Sequence, residues 1–128
     1  MELFDPQVIL FVADCERAAR FYAGLGFRET FRSPAEGPVK VEMALGGFGL
    51  GLALPQPAAD SHGLTPVVAG HRACLTLWTD DVEAAYATAL GAGARDLRGP
   101  HPFRENLTVA FVEDPDGHPV QLVQQTPG

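Results

Sequence analysis

Short runs of nearly continuous apolar residues alternate along the chain with stretches of mixed polarity, and glycine and proline stand between them. Two of the apolar runs, residues 7–13 and 73–79, have the composition of strands that are covered on both faces. After each run, apolar residues recur every three or four positions, which is the spacing of a helix with one buried face. Further strands are predicted over residues 27–32, 39–44, 48–54, 94–98, 107–112 and 120–124.

The two halves of the chain repeat the same helical segment. Laying Asp14 over Asp81 gives an offset of 67 residues and five identities in fourteen positions, where composition alone would give roughly one or two. The identical pairs are Asp14 and Asp81, Glu16 and Glu83, Ala18 and Ala85, Gly24 and Gly91, and Gly26 and Gly93. An aspartate in this position accepts hydrogen bonds from the free N–H groups of a first helical turn, and a following glycine permits a left-handed stop.

Each half is therefore predicted to be a strand, a helix and three strands, which gives an α+β fold of two βαβββ modules. We expect the first module over residues 6–54 and the second over residues 72–125. The segment 55–71 between them is rich in proline, alanine and glycine, which predicts a surface loop. Because a module of this size buries little of a sheet by itself, residues 1–128 are expected to form one domain of paired modules.

Composition and charge exclude several classes of protein. Apolar residues make up 46% of the chain and charged residues 20%, which favours a packed core over disorder. Acidic residues outnumber basic ones 16 to 9, and the net charge of −7 argues against a nucleic-acid-binding face. No apolar run approaches the roughly 18 residues of a membrane span, and no signal-like segment is evident. We therefore expect a cytoplasmic protein with neither nucleic acid nor membrane as a partner.

Motifs in both halves point to a known family. The first half contains Val12-Ala13-Asp14, Phe21-Tyr22 and Gly24-Leu25-Gly26-Phe27, and the second contains Asp80-Asp81-Val82 and Asp114-Pro115-Asp116-Gly117. Over residues 6–124 this combination resembles the vicinal oxygen chelate superfamily, which includes glyoxalase I, bleomycin-resistance proteins, extradiol dioxygenases and fosfomycin-resistance enzymes. The resemblance implies the glyoxalase/bleomycin-resistance fold, in which curved mixed sheets of paired βαβββ modules surround a cavity. It also implies a homodimer.

The resemblance further implies four positions that hold a metal ion in the metal-dependent members. Here these positions are Gln7, Gly51, Cys74 and Gln121. Amides are weak ligands for catalytic metals, glycine offers no side-chain donor, and one thiol does not hold a hard cation. We therefore expect no metal and no other cofactor, as in the metal-free members that resemble bleomycin-resistance proteins. A relocated metal site would have to draw on residues such as His71, His101, His118 and Glu105.

If the family's ligand positions face the cavity, alternation along the strands directs a further set of side chains into it. The predicted ligand-binding residues are Gln7, Ile9, Phe11, Cys74, Thr76, Trp78 and Gln121, and Phe103, just before the seventh strand, is added to them. Aromatic walls with amide anchors suit a small organic ligand that is aromatic or cationic. The alternative is that these aromatic residues fill a closed core. For Cys74 the alternatives are a nucleophile or a small buried residue.

The sequence thus predicts a metal-independent small-molecule-binding protein of the bleomycin-resistance type, which sequesters a drug or metabolite and contributes to antibiotic resistance. No catalytic residue is predicted. Two other functions stay open at this point. One is a glyoxalase-like lyase, isomerase or dioxygenase with a relocated metal site, and the other is a structural or regulatory module.

Overall fold

The chain divides into two compact units, Met1–Val68 and Ala69–Gly128, in a computed structural model that describes residues 1–67 and 69–126. Val68, which falls in the predicted joining loop, and the last two residues lie outside the described residues. Each unit has its own sheet and its own helix packed on that sheet.

Strands and helices follow one another in the same order in both units. The first unit contains β1 (Gln7–Phe11), α1 (Cys15–Gly24), β2 (Arg28–Ser33), β3 (Lys40–Leu45), β4 (Phe48–Ala53) and α2 (Pro55–His62). The second contains β5 (Leu75–Trp78), α3 (Val82–Gly91), β6 (Arg95–Phe103), β7 (Leu107–Glu113) and β8 (Pro119–Gln125).

Both sheets are mixed and have equivalent topologies. Their strand orders are β1-β4-β3-β2 and β5-β8-β7-β6. The first pair in each order is parallel, and the other pairs are antiparallel. This arrangement confirms the predicted α+β class and the two βαβββ repeats.

The repeated helices begin and end in the same way. The Asp14 carboxylate accepts a hydrogen bond from the Arg17 N–H at 3.1 Å, and Asp81 accepts one from the Ala84 N–H at 3.0 Å. Each aspartate satisfies a first-turn donor that the helix itself leaves unpaired. Just beyond the two helices, Gly26 and Gly93 have φ values of 104° and 112°. A side chain would strain both positions, so the repeated glycines let the chain turn back into its sheet.

The segment that joins the units differs from its prediction. The sequence pattern predicts a surface loop over residues 55–71, whereas the structure has the helix α2 there, with none of its residues buried. Pro55 is accepted in the first helical turn, where its missing N–H is not needed. The Gln56 side-chain amide donates to Asp60 at 2.9 Å, and Gly63 ends the helix with a φ of 70°. These local features favour a short surface helix.

Candidate functional site

The second sheet has one face covered by α3 and one face turned away from it, which we call the open face. The register pairs Leu75 with Val120. Gln124, which lies on the same face of β8 as Val120, accepts a hydrogen bond from the Val82 N–H in the first turn of α3 at 2.8 Å, so this face is the one that α3 covers. Because side chains alternate along a strand, Thr76 and Gln121 point to the opposite, open face.

Four paired residues form a row across the open face, one from each strand. Thr76 is in register with Gln121, Gln121 with Phe111, and Phe111 with Arg98. The Thr76 hydroxyl donates to Gln121 Oε1 at 3.0 Å. This bond fixes the amide, so that its N–H₂ group is directed away from Thr76.

A groove of about 540 Å³ lies at one end of this row. Its lining residues are His71, Ala73, Cys74, Leu97, Arg98, Phe111 and Pro119. The volume falls within the range of roughly 300–1,000 Å³ that is typical of small-molecule sites. Apolar and aromatic walls with few polar groups are also typical of such sites, so the groove is the candidate functional site.

A buried carboxylate next to the groove is already neutralised. Glu113 is 7% exposed and receives hydrogen bonds from Arg95 Nε at 2.8 Å and from His71 Nε2 at 2.6 Å. The His71 hydrogen bond, followed by the Arg95 hydrogen bond, holds the pKa of Glu113 below its ordinary value and outweighs desolvation. Glu113 therefore leaves the groove wall without an uncompensated negative charge.

Arg98 is the lining cation that is not neutralised in this way. Within residues 1–67 and 69–126 its guanidinium makes no hydrogen bond and no ion pair. Its side chain is exposed and opposite Phe111. The groove therefore combines an aromatic ring with a planar cation whose donors are available.

Cys74 is the predicted site residue that lines this groove. It is exposed, so the alternative interpretation of a small buried residue is wrong. Desolvation raises the pKa of its thiol even though the residue as a whole is exposed, and a backbone hydrogen bond involving Gln121 offsets this only in part. A thiol with a raised pKa is mostly protonated at neutral pH, which disfavours a role as a nucleophile.

On the equivalent face of the first sheet, the space above Gly51 is occupied by side chains of the same sheet. This glycine is in register with Ile9, as Gln121 is with Thr76 in the second unit. A Cβ at Gly51 would lie 2.9 Å from Ile9 Cγ1 and 3.4 Å from Gln7 Oε1 and from Lys40 Cε. The Lys40 ammonium is in turn 3.7 Å from Glu42. Lys40 and Glu42 are thus polar neighbours of Gln7 that the sequence patterns do not single out.

The remaining predicted site residues lie elsewhere on the two sheets. Phe11 is half-buried in β1, and Trp78 is 66% exposed in β5 on the same face as Thr76. Phe103 ends β6, away from the groove lining, and the Arg104 guanidinium lies 5.3 Å from the centre of its ring. The aromatic residue that lines the groove is instead Phe111, which sequence patterns offer only as one apolar position of a strand.

The histidines considered for a relocated metal site are engaged separately. His71 contacts Glu113, His118 Nδ1 lies 2.8 Å from Asp114 Oδ2, and His101 Nδ1 lies 2.7 Å from the Gly99 carbonyl oxygen. Among the residues that the structure describes, no three His, Cys, Asp or Glu side chains form a group suited to a metal ion. At the family's own ligand positions, two amides, a thiol and a glycine do not fit a catalytic metal.

Comparison with known proteins agrees with this fold. The model of the Glyoxalase/Bleomycin resistance protein/Dioxygenase superfamily matches residues 6–122, and the chain belongs to this superfamily. A comparison with curated proteins finds no match. In the described part of the chain, no helix has the length and apolar character needed to cross a membrane.

Solved structures with the same fold include proteins of different descriptions. A glyoxalase-related enzyme from Fulvimarina pelagi is 23% identical, with a TM-score of 0.83 over 98% of this chain and 89% of that chain. A superfamily enzyme from Burkholderia phytofirmans is 20% identical, with a TM-score of 0.81 over 96% and 99%. TnmS3, an antibiotic-binding protein from a Streptomyces species, is 27% identical, with a TM-score of 0.70 over 98% and 99%.

Proposed function

We propose that this protein binds a planar small organic molecule in the groove of its second unit and does so without metal or covalent chemistry. The observation that carries the proposal is the groove itself, where Phe111 forms a wall. Phe111 is in register with Gln121, whose side-chain amide is held by the Thr76 hydroxyl. Rings give contact area and an oriented amide gives direction, the combination that small-molecule sites use. The description of TnmS3 as an antibiotic-binding protein supports sequestration of a drug or metabolite as the biological role.

The side chains around the groove favour binding over catalysis. Its thiol has a raised pKa, and its histidine is hydrogen-bonded to a carboxylate that Arg95 also holds. A thiol that is mostly protonated at neutral pH is not prepared as a nucleophile. We therefore infer that the ligand leaves the protein unchanged.

A ligand panel tests the proposal. We expect planar aromatic compounds to raise the melting temperature and to change the fluorescence of Trp78, the one tryptophan of the chain, which lies on the open face. Ala73→Phe fills the groove and is expected to weaken binding by about tenfold or more. Ala84→Phe adds the same ring at an exposed position of α3 and is expected to bind like wild type. Binding that survives Ala73→Phe, or a panel without any effect, would contradict the proposal.

Metal independence has its own measurement. Elemental analysis of purified, untagged protein is expected to give substoichiometric metal, and a chelator is expected to leave ligand affinity unchanged. Stoichiometric metal together with chelator-sensitive turnover would favour the metal-dependent enzyme instead.

We also propose that a second copy of the chain covers the edge strand β1. Within the part of the chain that the structure describes, this strand pairs on one side only, with β4, and it exposes Val8 at 49% and Ile9 at 42%. An unpaired apolar edge is a liability that assembly removes. Light scattering is expected to give a dimer for wild type and a monomer for Val8→Glu. Leu64→Glu, at an equally exposed residue outside both sheets, is expected to remain dimeric.

A further inference from the structure

The charge around the groove of the second unit is unusual for this protein. The chain carries a net charge of −7, yet the groove wall includes the guanidinium of Arg98. The nearby carboxylate on the same face, Glu113, is held by Arg95 and His71. The Asp96 carboxylate, two residues before Arg98, accepts a hydrogen bond from the Tyr86 hydroxyl at 2.7 Å, on the face that α3 covers. Among the described residues, neither acid forms an ion pair with Arg98.

The position of Arg98 results from irregular pairing between β6 and β7. The register shifts between Asp96 and Arg98 and again between Arg98 and His101. Such bulges redirect a side chain at a sheet edge, and they are common beside functional sites. Here they set Arg98 opposite Phe111, with the amide of Gln121 next in the row.

A guanidinium and a ring in this arrangement select a particular ligand chemistry. Arginine presents a rigid fork of donors that matches the two oxygens of a carboxylate, and charge-assisted hydrogen bonds are about twice as strong as neutral ones. The neighbouring phenylalanine offers an apolar surface for a flat ring. Because the protein as a whole repels anions, the attraction has to be local.

We propose that the groove binds planar aromatic molecules bearing a carboxylate or another oxyanion, with Arg98 holding the anion and Phe111 contacting the ring. The inference rests on the proposed binding function and names its ligand class. It differs from the cationic ligand that the sequence favours, because the acidic residues responsible for the net charge are absent from the groove lining that the structure describes.

Three probes of one shape test the sign of the charge. 1-Naphthoate, 1-naphthamide and 1-naphthylmethylamine carry an anion, a neutral amide and a cation on the same ring, and their affinities are measured by calorimetry. For wild type we expect 1-naphthoate to bind about tenfold more tightly than 1-naphthamide, and 1-naphthylmethylamine to bind weakest. Arg98→Gln is expected to abolish the preference for 1-naphthoate over 1-naphthamide.

Two further variants separate recognition from general charge. Arg98→Lys keeps the charge but loses the fork, so we expect an intermediate preference. Arg104→Gln makes the same change in net charge at an exposed turn of the same unit, and it is expected to keep the full preference. Thermal melts confirm that each variant folds.

The outcomes distinguish the ligand class from the binding function. Equal affinities for the anion and the amide, tightest binding of the cation, or a preference that persists in Arg98→Gln would each overturn the anionic ligand class. In those cases the groove is still supported as the binding site if the probes bind wild type and Ala73→Phe abolishes that binding. Failure of all three probes to bind would also overturn the ligand class, and the wider panel then decides the binding function.

Discussion

The side chains of Thr76 and Gln121 are joined across two parallel strands by a hydrogen bond of 3.0 Å between Oγ1 and Oε1. They are 45 residues apart in the chain. The hydroxyl occupies one acceptor site of the amide oxygen and thereby orients the N–H₂ group over the open face. An oriented donor binds a ligand oxygen without first losing its own rotational freedom.

Thr76→Val should therefore affect binding more than stability. The valine keeps the shape of the side chain but frees the Gln121 amide to rotate, so we expect 1-naphthoate to bind about threefold to tenfold more weakly. Since the bond is exposed, the free energy of unfolding is expected to change by less than about 1 kcal/mol. Calorimetry and chemical denaturation measure the two effects, and Thr88→Val, at an exposed position of α3, is the control. Unchanged affinity would show that the pair does not orient a ligand.

Gly51→Ala is expected to destabilise the first unit. The added Cβ would lie 2.9 Å from Ile9 Cγ1, closer than carbon atoms pack, so the strand or Ile9 must shift. Overpacking of this kind costs about 1–3 kcal/mol of unfolding free energy. Gly49→Ala, on the same strand, places its Cβ no closer than 3.7 Å to its neighbours and is expected to be tolerated. Similar denaturation midpoints for the two variants would argue against crowding at Gly51.

The lowered pKa of Glu113 predicts that the protein loses stability in acid. Its pKa is lowered in the folded protein, chiefly by the His71 hydrogen bond and then by that of Arg95. A lowered folded-state pKa means that the folded protein favours the charged carboxylate. The resulting stabilisation is present above the ordinary value of 4.5 and disappears as the pH falls through the folded-state pKa.

Glu113→Gln is expected to cost about 1–3 kcal/mol at neutral pH, because a neutral amide cannot replace the charge-assisted acceptor. The variant is also expected to lose less stability than wild type below pH 4.5. Melting temperatures measured across this range test both effects, and Glu105→Gln in an exposed turn is the matched control. A parallel decline of Glu113→Gln and wild type in acid would exclude Glu113 as the source.

The raised pKa of His118 predicts the opposite pH dependence, in which stability is lost as the pH rises. The hydrogen bond to Asp114 is the main cause that raises the pKa of His118 above its ordinary value of 6.5. A raised folded-state pKa means that the folded protein favours protonated histidine. The stabilisation is complete below 6.5 and is lost as the pH rises through the folded-state pKa.

His118→Gln is therefore expected to be less stable than wild type below pH 6.5 and to approach it at alkaline pH. His62→Gln, at the exposed end of α2, is expected to follow wild type throughout. Melting curves recorded on both sides of pH 6.5 measure the difference. A constant gap between His118→Gln and wild type would mean that titration of His118 does not contribute.

The sequence by itself determined the features that depend on near neighbours. The spacing of hydrophobic positions along the chain predicts the strands and helices of both modules. The repeated Asp14 and Asp81 predict the caps that begin α1 and α3. These features are readable because a capping aspartate contacts a backbone group three residues away. The family resemblance, together with alternation along each strand, places Thr76 and Gln121 on one face. The helix α2 shows the limit of such local reasoning. The proline-, alanine- and glycine-rich composition of the segment 55–71 predicts a loop, although the segment also carries local signals of a short helix.

The tertiary structure decided which residues form the groove. Arg98 faces it because bulges shift the β6–β7 register. Gly99 and Pro100 indicate an irregular strand there, but they do not specify which side chain the bulge redirects. Phe111 lines the groove through pairing across that ladder, and His71 reaches Glu113 across 42 residues. Contacts between distant segments depend on strand register and on the whole packed unit, which a period of two or of 3.6 residues does not encode. The charge of the groove, on which the proposed ligand class rests, therefore follows from the fold rather than from the overall composition.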